Sequence, residues 1–205
     1  VDIAGLVKGA NKGEGLGNKF LSHIREVDAI VHVVRCFEDV EIAHVDGSIN
    51  PLRDIETVNL ELIFADLEML EKKIDKSRKM LKSGDKKFQT EINLYETLKA
   101  NLEKGIPARA LSFSEDERLL AEQLFLLTSK PLIYVANVSE NDLANNKSNP
   151  MINELQKEAS KEGSQVLKIC AKIEDEISQL DNEDKAMFLQ DLGIDESGLD
   201  KLIKA

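Results

Sequence analysis

Pro131-Leu132-Ile133-Tyr134-Val135-Ala136 is a continuous apolar run of strand length, and Asn137-Val138-Ser139-Glu140 follows it with no residue between. A strand that is apolar at successive positions, rather than at alternate ones, is covered on both faces. Ala29-Ile30-Val31-His32-Val33-Val34 upstream and Gln165-Val166-Leu167-Lys168-Ile169-Cys170 downstream have the same character, with a helix expected between the last two from about Pro150 to Gly163. Val1-Asp2-Ile3 reads as the tail of another strand, so the chain is expected to be a fragment. Apolar strands alternating with helices predict a parallel sheet between two helical layers, a three-layer α/β fold present in part. Gly193 to Ala205 reads as one more turn and the start of a helix.

Between the strand regions the pattern changes. Leu60, Ile63, Leu67, Leu70, Ile74 and Leu81 step by three and four, with one gap at Ser77, as a coiled-coil seam does. Phe88, Ile92, Tyr95 and Leu102 continue that pattern after Ser83-Gly84-Asp85, a turn sequence. The expectation is an antiparallel helical hairpin from about Thr57 to Lys104. A further helix should start at Ser114, whose hydroxyl can cap the backbone while Glu117 reaches back. The domain expectation is a sheet domain of residues 1–56 and 129–205, interrupted by a helical arm of residues 57–128.

The 205 residues are 42% hydrophobic and 32% charged, the balance of a soluble globular protein, and no apolar run approaches a membrane span. A cytoplasmic location is expected, with no membrane partner. Cys36 and Cys170 lack metal-ligand spacing and can make at most one bridge, so no disulfide framework organises the fold. Both thiols are expected to be reduced, half-buried and inert. The net charge of -11 is unevenly spread. Lys72, Lys73, Lys76, Arg78, Lys79, Lys82, Lys86 and Lys87 face only Asp75 and Asp85, whereas Glu174 to Asp200 holds ten acidic residues against Lys185. A basic arm tip on an acidic chain suits docking on RNA phosphates; DNA is not expected as a partner.

Asp2-Ile3-Ala4-Gly5, at a strand end, has the Asp-x-x-Gly form that in P-loop nucleotidases places an aspartate near Mg2+ and a glycine N–H near the γ-phosphate. The segment Leu6 to Asn18 that follows is rich in glycine but has neither the Gly-Lys-Ser/Thr of a phosphate-binding loop nor Gly-x-Gly-x-x-Gly. Its glycines suit a loop that changes shape. A helix with Phe20, Leu21 and Ile24 on one side comes next. Leu6-Val7-Lys8-Gly9-Ala10-Asn11-Lys12-Gly13-Glu14-Gly15-Leu16-Gly17-Asn18, together with Arg35-Cys36-Phe37-Glu38-Asp39, resembles the YchF branch of the Obg family of P-loop nucleotidases over essentially the whole chain. The resemblance implies a fragment without the P-loop and the C-terminal TGS domain.

What the resemblance implies can be placed residue by residue. Asp2 would meet Mg2+ and Gly5 the nucleotide, while Leu6, Gly9, Gly13, Gly15 and Gly17 would belong to a switch segment. Leu6 stands where Ras-like enzymes carry a water-orienting glutamine, and the family points instead to a histidine matching His44. Guanine-reading sites carry Asn-Lys-x-Asp; here Val138 replaces the lysine, and Glu140 is one methylene longer than aspartate. That change, with Asn137, is typical of the YchF branch and implies adenine over guanine. Cys170-Ala171-Lys172 corresponds to the Ser-Ala-Lys loop that closes over the base, where only the Ala171 backbone N–H need contact it. The implied function is an ATP-binding and ATP-hydrolysing switch that uses Mg2+ and associates with the ribosome, with slow turnover. The alternatives are an RNA- or protein-binding coiled-coil module with nucleotide as a structural ligand, and a true Obg-type GTPase, which Glu140 and Val138 disfavour.

Overall fold

The computed structural model describes residues 16–39, 41–42, 44, 47–82, 85–144 and 149–205. These fall into two compact units: one joins the described residues up to Ile30 with Glu56–Pro131, and the other joins Val31–Ile55 with Leu132–Ala205.

The second unit is built on a three-stranded sheet in the order β1-β2-β3. Its strands are β1 (Ile30–Arg35), β2 (Leu132–Asn137) and β3 (Gln165–Ile169). β2 and β3 run parallel, with Ile133 opposite Gln165 and Asn137 opposite Ile169. The Ile30 N–H donates to the Pro131 carbonyl at one end of β1, and the Cys36 N–H to the Asn137 carbonyl at the other, so β1 also runs parallel to β2. Leu132, Tyr134, Val135 and Ala136 are all buried, as a strand covered on both faces requires. In β1, Val34 is 2% exposed, while Val31 and Val33 are 45% and 60% exposed among the described residues.

Helices α5 (Glu140–Ala144), α6 (Pro150–Lys161), α7 (Ala171–Ser178), α8 (Asn182–Asp191) and α9 (Gly198–Lys204) belong to the same unit. The Asn149 side chain accepts from the Met151 N–H, and Pro150 opens α6, where its missing N–H costs nothing. Ile152, Leu155 and Ala159 form the buried stripe of α6. The region expected as one turn and a helix start holds α9, whose first N–H groups are met by a distant side chain: Glu174 accepts from Gly198 N at 2.7 Å and Leu199 N at 3.2 Å.

The other unit is helical. It contains α1 (Leu16–Glu26), most of α2 (Pro51–Leu81), α3 (Lys86–Leu102) and α4 (Glu115–Glu122). α2 starts at Pro51 rather than Thr57, because proline suits the first helical turn and the Asn50 side chain accepts from the Arg53 N–H. α1 starts at Leu16, which places Gly17 in a helical turn rather than in a loop. Ile63, Leu70 and Ile74 of α2 pack with Leu94, Tyr95, Leu98 and Leu102 of α3, and Ala121 of α4 and Leu126 close the cluster. At the gap in the seam the Ser77 hydroxyl donates to Glu91 Oε2 at 2.8 Å, so a buried polar group is satisfied. Leu60 is a correction, being 39% exposed. α2 serves two clusters, Ile63 facing α3 and Leu62 packing with Leu21, Ile24 and Leu127, and Leu60 belongs to neither. Asp85 caps α3 through the Lys87 N–H, and Ser114 with Glu117 forms the capping box expected for α4.

Asp66 of α2 is completely buried and holds the turn at Leu127 and Thr128. Its Oδ1 accepts from Leu127 N at 2.9 Å, and its Oδ2 accepts from Thr128 N and from Thr128 Oγ1, each at 2.8 Å. Burial pushes the Asp66 carboxyl above its ordinary value, against the pull of these donors. Among the described residues no helix is long and apolar enough to cross a membrane.

Candidate functional site

Parallel β2 and β3 end side by side at Asn137 and Ile169, so the loops that follow them open from one edge of the sheet. Ligands of open α/β sheets bind outside that carboxyl edge. A cavity of about 500 Å3 lies here, in the sheet unit, walled by Phe37 to Asp39, Ile42, Asn137 to Asn141 and Cys170 to Lys172. Its volume suits a small organic ligand.

Asn137, Val138, Glu140, Cys170 and Ala171, expected to bind nucleotide, all line this cavity. The Ala171 N–H donates to Asn137 Oδ1 at 3.0 Å, which joins the two loops directly. The Val138 N–H continues the ladder to the Ile169 carbonyl at 2.9 Å, and its side chain, 1% exposed, packs into the interior. Ser139 closes the first turn of α5: its hydroxyl donates to Asp142 Oδ2 and accepts from the Asp142 N–H. Glu140 stands at the first position of α5, and its carboxylate is ion-paired with the Lys172 ammonium from α7. Hydrogen bonding to Glu140 raises the Lys172 pKa above its ordinary 10.5.

Three contributors were given no role of their own from the sequence. Arg35 donates from Nε to the Phe37 carbonyl and from its terminal nitrogens to the Ile42 and Asp39 carbonyls, while its guanidinium lies 4.8 Å from the Phe37 ring centre. One side chain thus holds the wall from Phe37 to Ile42. Asn149 Nδ2 donates to the Cys36 carbonyl at 3.1 Å, tying the start of α6 to the end of β1. Lys172 is the third. No local signal marks these roles, although Arg35 and Lys172 both lie inside stretches already quoted for their resemblance. Both cysteines are buried, more deeply than the half-burial expected, and burial pushes the Cys36 thiol up to about 11, which leaves it almost wholly protonated at neutral pH.

His44 does not line the cavity. Its Nε2 lies 3.1 Å from Asp54 Oδ2 in the first turn of α2, and Asp54 Oδ1 accepts from Arg53 Nε at 3.1 Å. The arm-tip cations Lys73, Lys76, Lys79, Lys82, Lys86 and Lys87 are exposed, whereas Lys72 pairs with Glu68 at 2.5 Å and Arg78 with Glu96 at 2.7 Å. Asp2, Gly5, Leu6, Gly9, Gly13 and Gly15, and the turn at Ser83 and Gly84, lie outside the described residues. Among the described residues no group of three or more His, Cys, Asp or Glu is placed to hold a metal ion.

A three-stranded parallel sheet with this edge cavity and an interposed helical hairpin is the α/β fold of the P-loop GTPase class. The model of the 50S ribosome-binding GTPase family matches residues 1–93. The chain is 54% identical over 204 residues to a Bacillus subtilis protein named ribosome-binding ATPase YchF, and 47% identical over 205 residues to the Escherichia coli O157:H7 protein of that name; each match covers 100% of this chain and 56% of the relative. The solved structure of the Schizosaccharomyces pombe YchF GTPase superposes with a TM-score of 0.83 at 34% identity, covering 96% of this chain and 54% of that one. Over its whole length the chain is similar to proteins named YchF. It spans little more than half the length of these relatives.

Proposed function

We propose that this chain carries the base pocket and the helical arm of an ATP-hydrolysing switch that associates with the ribosome in the cytoplasm. Asn137 and Ala171, joined by a hydrogen bond, and Glu140, engaged by Lys172, lining one cavity at the carboxyl edge of the sheet is the observation that carries the proposal. Guanine needs a carboxylate for its N1–H and 2-amino donors, and buried donors left unpaired cost about 1–3 kcal/mol each. A pocket in which Glu140, the carboxylate at the base-reading position, is engaged by Lys172 favours a base without that pair of donors, which adenine is. The names printed for the bacterial relatives agree with ATP hydrolysis and ribosome binding.

In this proposal residues 57–128 are an arm inserted into a domain of residues 1–56 and 129–205. His44 positions the attacking water, Gly5 meets the nucleotide, Asp2 meets the Mg2+ that accompanies it, and Leu6, Gly9, Gly13, Gly15 and Gly17 form the switch segment. The exposed lysines of the arm contact ribosomal RNA. Competitive titration of the full-length protein with ATP and GTP tests the base preference, and GTP binding tenfold tighter than ATP would refute it. The second reading, a GTPase, is favoured by the printed names of the matched family model and of the fission-yeast structure, and the same titration separates the two.

A further inference from the structure

We infer that Lys172 is a specificity-determining residue of this pocket, acting through Glu140: its ammonium occupies the carboxylate that guanine would otherwise engage. The inference rests on the base-pocket assignment proposed above.

The pairing follows from the sheet. Glu140 stands three residues beyond Asn137, at the start of the helix that follows β2, and Lys172 three beyond Ile169, in the first turn of the helix that follows β3. Asn137 and Ile169 are register partners, so the backbone brings the two side chains together from adjacent strands. The Ala171 N–H bond to Asn137 Oδ1 fixes the start of α7 immediately before Lys172. The result is a Lys172–Glu140 ion pair on the wall of the cavity, with side chains 68% and 49% exposed.

Two consequences bear on the base. A carboxylate that accepts from an ammonium has lost part of its acceptor capacity and most of its net charge, and guanine's two adjacent donors need both. The ammonium also places a donor beside those donors, and two donors do not pair. Adenine brings no such pair of donors and leaves the ion pair intact. Because the pair is about half exposed, its effect is bounded: an ion pair of this kind shifts an equilibrium by no more than about fivefold. Lys172 therefore adjusts a preference that the replacement of aspartate by Glu140 and of lysine by Val138 also serves.

The test uses the full-length protein, with ADP and GDP as probes so that no turnover intervenes, and isothermal titration of the wild type, Lys172→Met, Lys172→Arg and Asn137→Ala. Lys172→Met keeps the apolar stem and removes the charge, and it should tighten GDP relative to ADP by about three- to fivefold. Lys172→Arg, which preserves the ion pair, should hold the wild-type ratio. In about 1 M salt, where charges are screened beyond about 3 Å, the wild-type ratio should move toward that of Lys172→Met, while the ratio of Lys172→Met stays in place. A GDP-to-ADP ratio in Lys172→Met equal to wild type, at low and high salt, overturns the inference while leaving the pocket assignment intact. If Asn137→Ala binds both nucleotides as the wild type does, the cavity is not the base site, and the inference falls with that assignment.

Discussion

Asp66→Ala should be among the most damaging substitutions in the helical unit. The Asp66 carboxylate is the acceptor for two buried backbone N–H groups, of Leu127 and Thr128, and for the Thr128 hydroxyl. Leu127 and Thr128 are 0% and 1% exposed, so water does not replace the lost acceptor. Three orphaned donors at about 1–3 kcal/mol each would cost roughly 3–9 kcal/mol. Against this, removing the carboxylate also removes its desolvation, which is large enough to hold its pKa above the ordinary value and returns several kcal/mol. The net expectation is a loss of about 2–4 kcal/mol. Asp66→Asn, which keeps one acceptor oxygen but turns an amide toward an N–H, should lose about half as much. Equilibrium urea unfolding followed by far-ultraviolet circular dichroism gives the magnitude, and amide exchange at Leu127 and Thr128 locates it. A loss under about 1 kcal/mol for Asp66→Ala, with those two amides still protected, would refute the argument that this carboxylate holds the turn at Leu127 and Thr128.

Gly198→Ala should destabilise the sheet unit by about 1–3 kcal/mol, because a Cβ there would lie 2.5 Å from Ile169 Cγ2 and 2.9 Å from Glu174 Oε1; an unchanged melting temperature would contradict it. The Ser114 N–H and hydroxyl hold the Glu117 carboxyl below its ordinary 4.5, and the Ser197 hydroxyl, with help from Lys185, holds Asp200 below 3.8. Groups depressed in the folded state contribute stability above their unfolded values and lose it as the pH falls through the folded ones, so unfolding midpoints should decline below about pH 4.5, and less steeply in Glu117→Gln; parallel declines would remove Glu117 from the account. In the full-length protein His44→Ala should lower ATP turnover by about 100 to 10,000-fold with ATP affinity nearly unchanged, and steady-state rates within twofold of wild type would exclude a role in placing water. Reversing Lys79, Lys82, Lys86 and Lys87 to Glu should preserve the circular dichroism spectrum, since all four are exposed, and abolish most co-sedimentation with ribosomes; equal pelleting across a salt series would make the arm tip a solvated surface only.

The sequence by itself determined the elements whose signal is local. Three apolar runs became three neighbouring strands, because short runs of β-branched residues favour the extended backbone. The hairpin was legible from a seam stepping by three and four, and the start of α4 from Ser114 and Glu117, three residues apart. Asn137, Glu140 and Ala171 could be named because the motifs at the strand ends resemble the base-reading motifs of the YchF branch. Tertiary structure alone decided the rest. That Leu60 is exposed while Leu62 is buried depends on α2 serving two clusters, which no single helical period encodes. Asp66 reads as one more polar residue on a helix until a turn 61 residues later brings it two N–H groups. Glu140 and Lys172 are 32 residues apart, and Glu174 caps α9 from 24 residues upstream. Strand register sets those meetings, and register is a property of the assembled sheet, with no residue pattern near either partner to announce it.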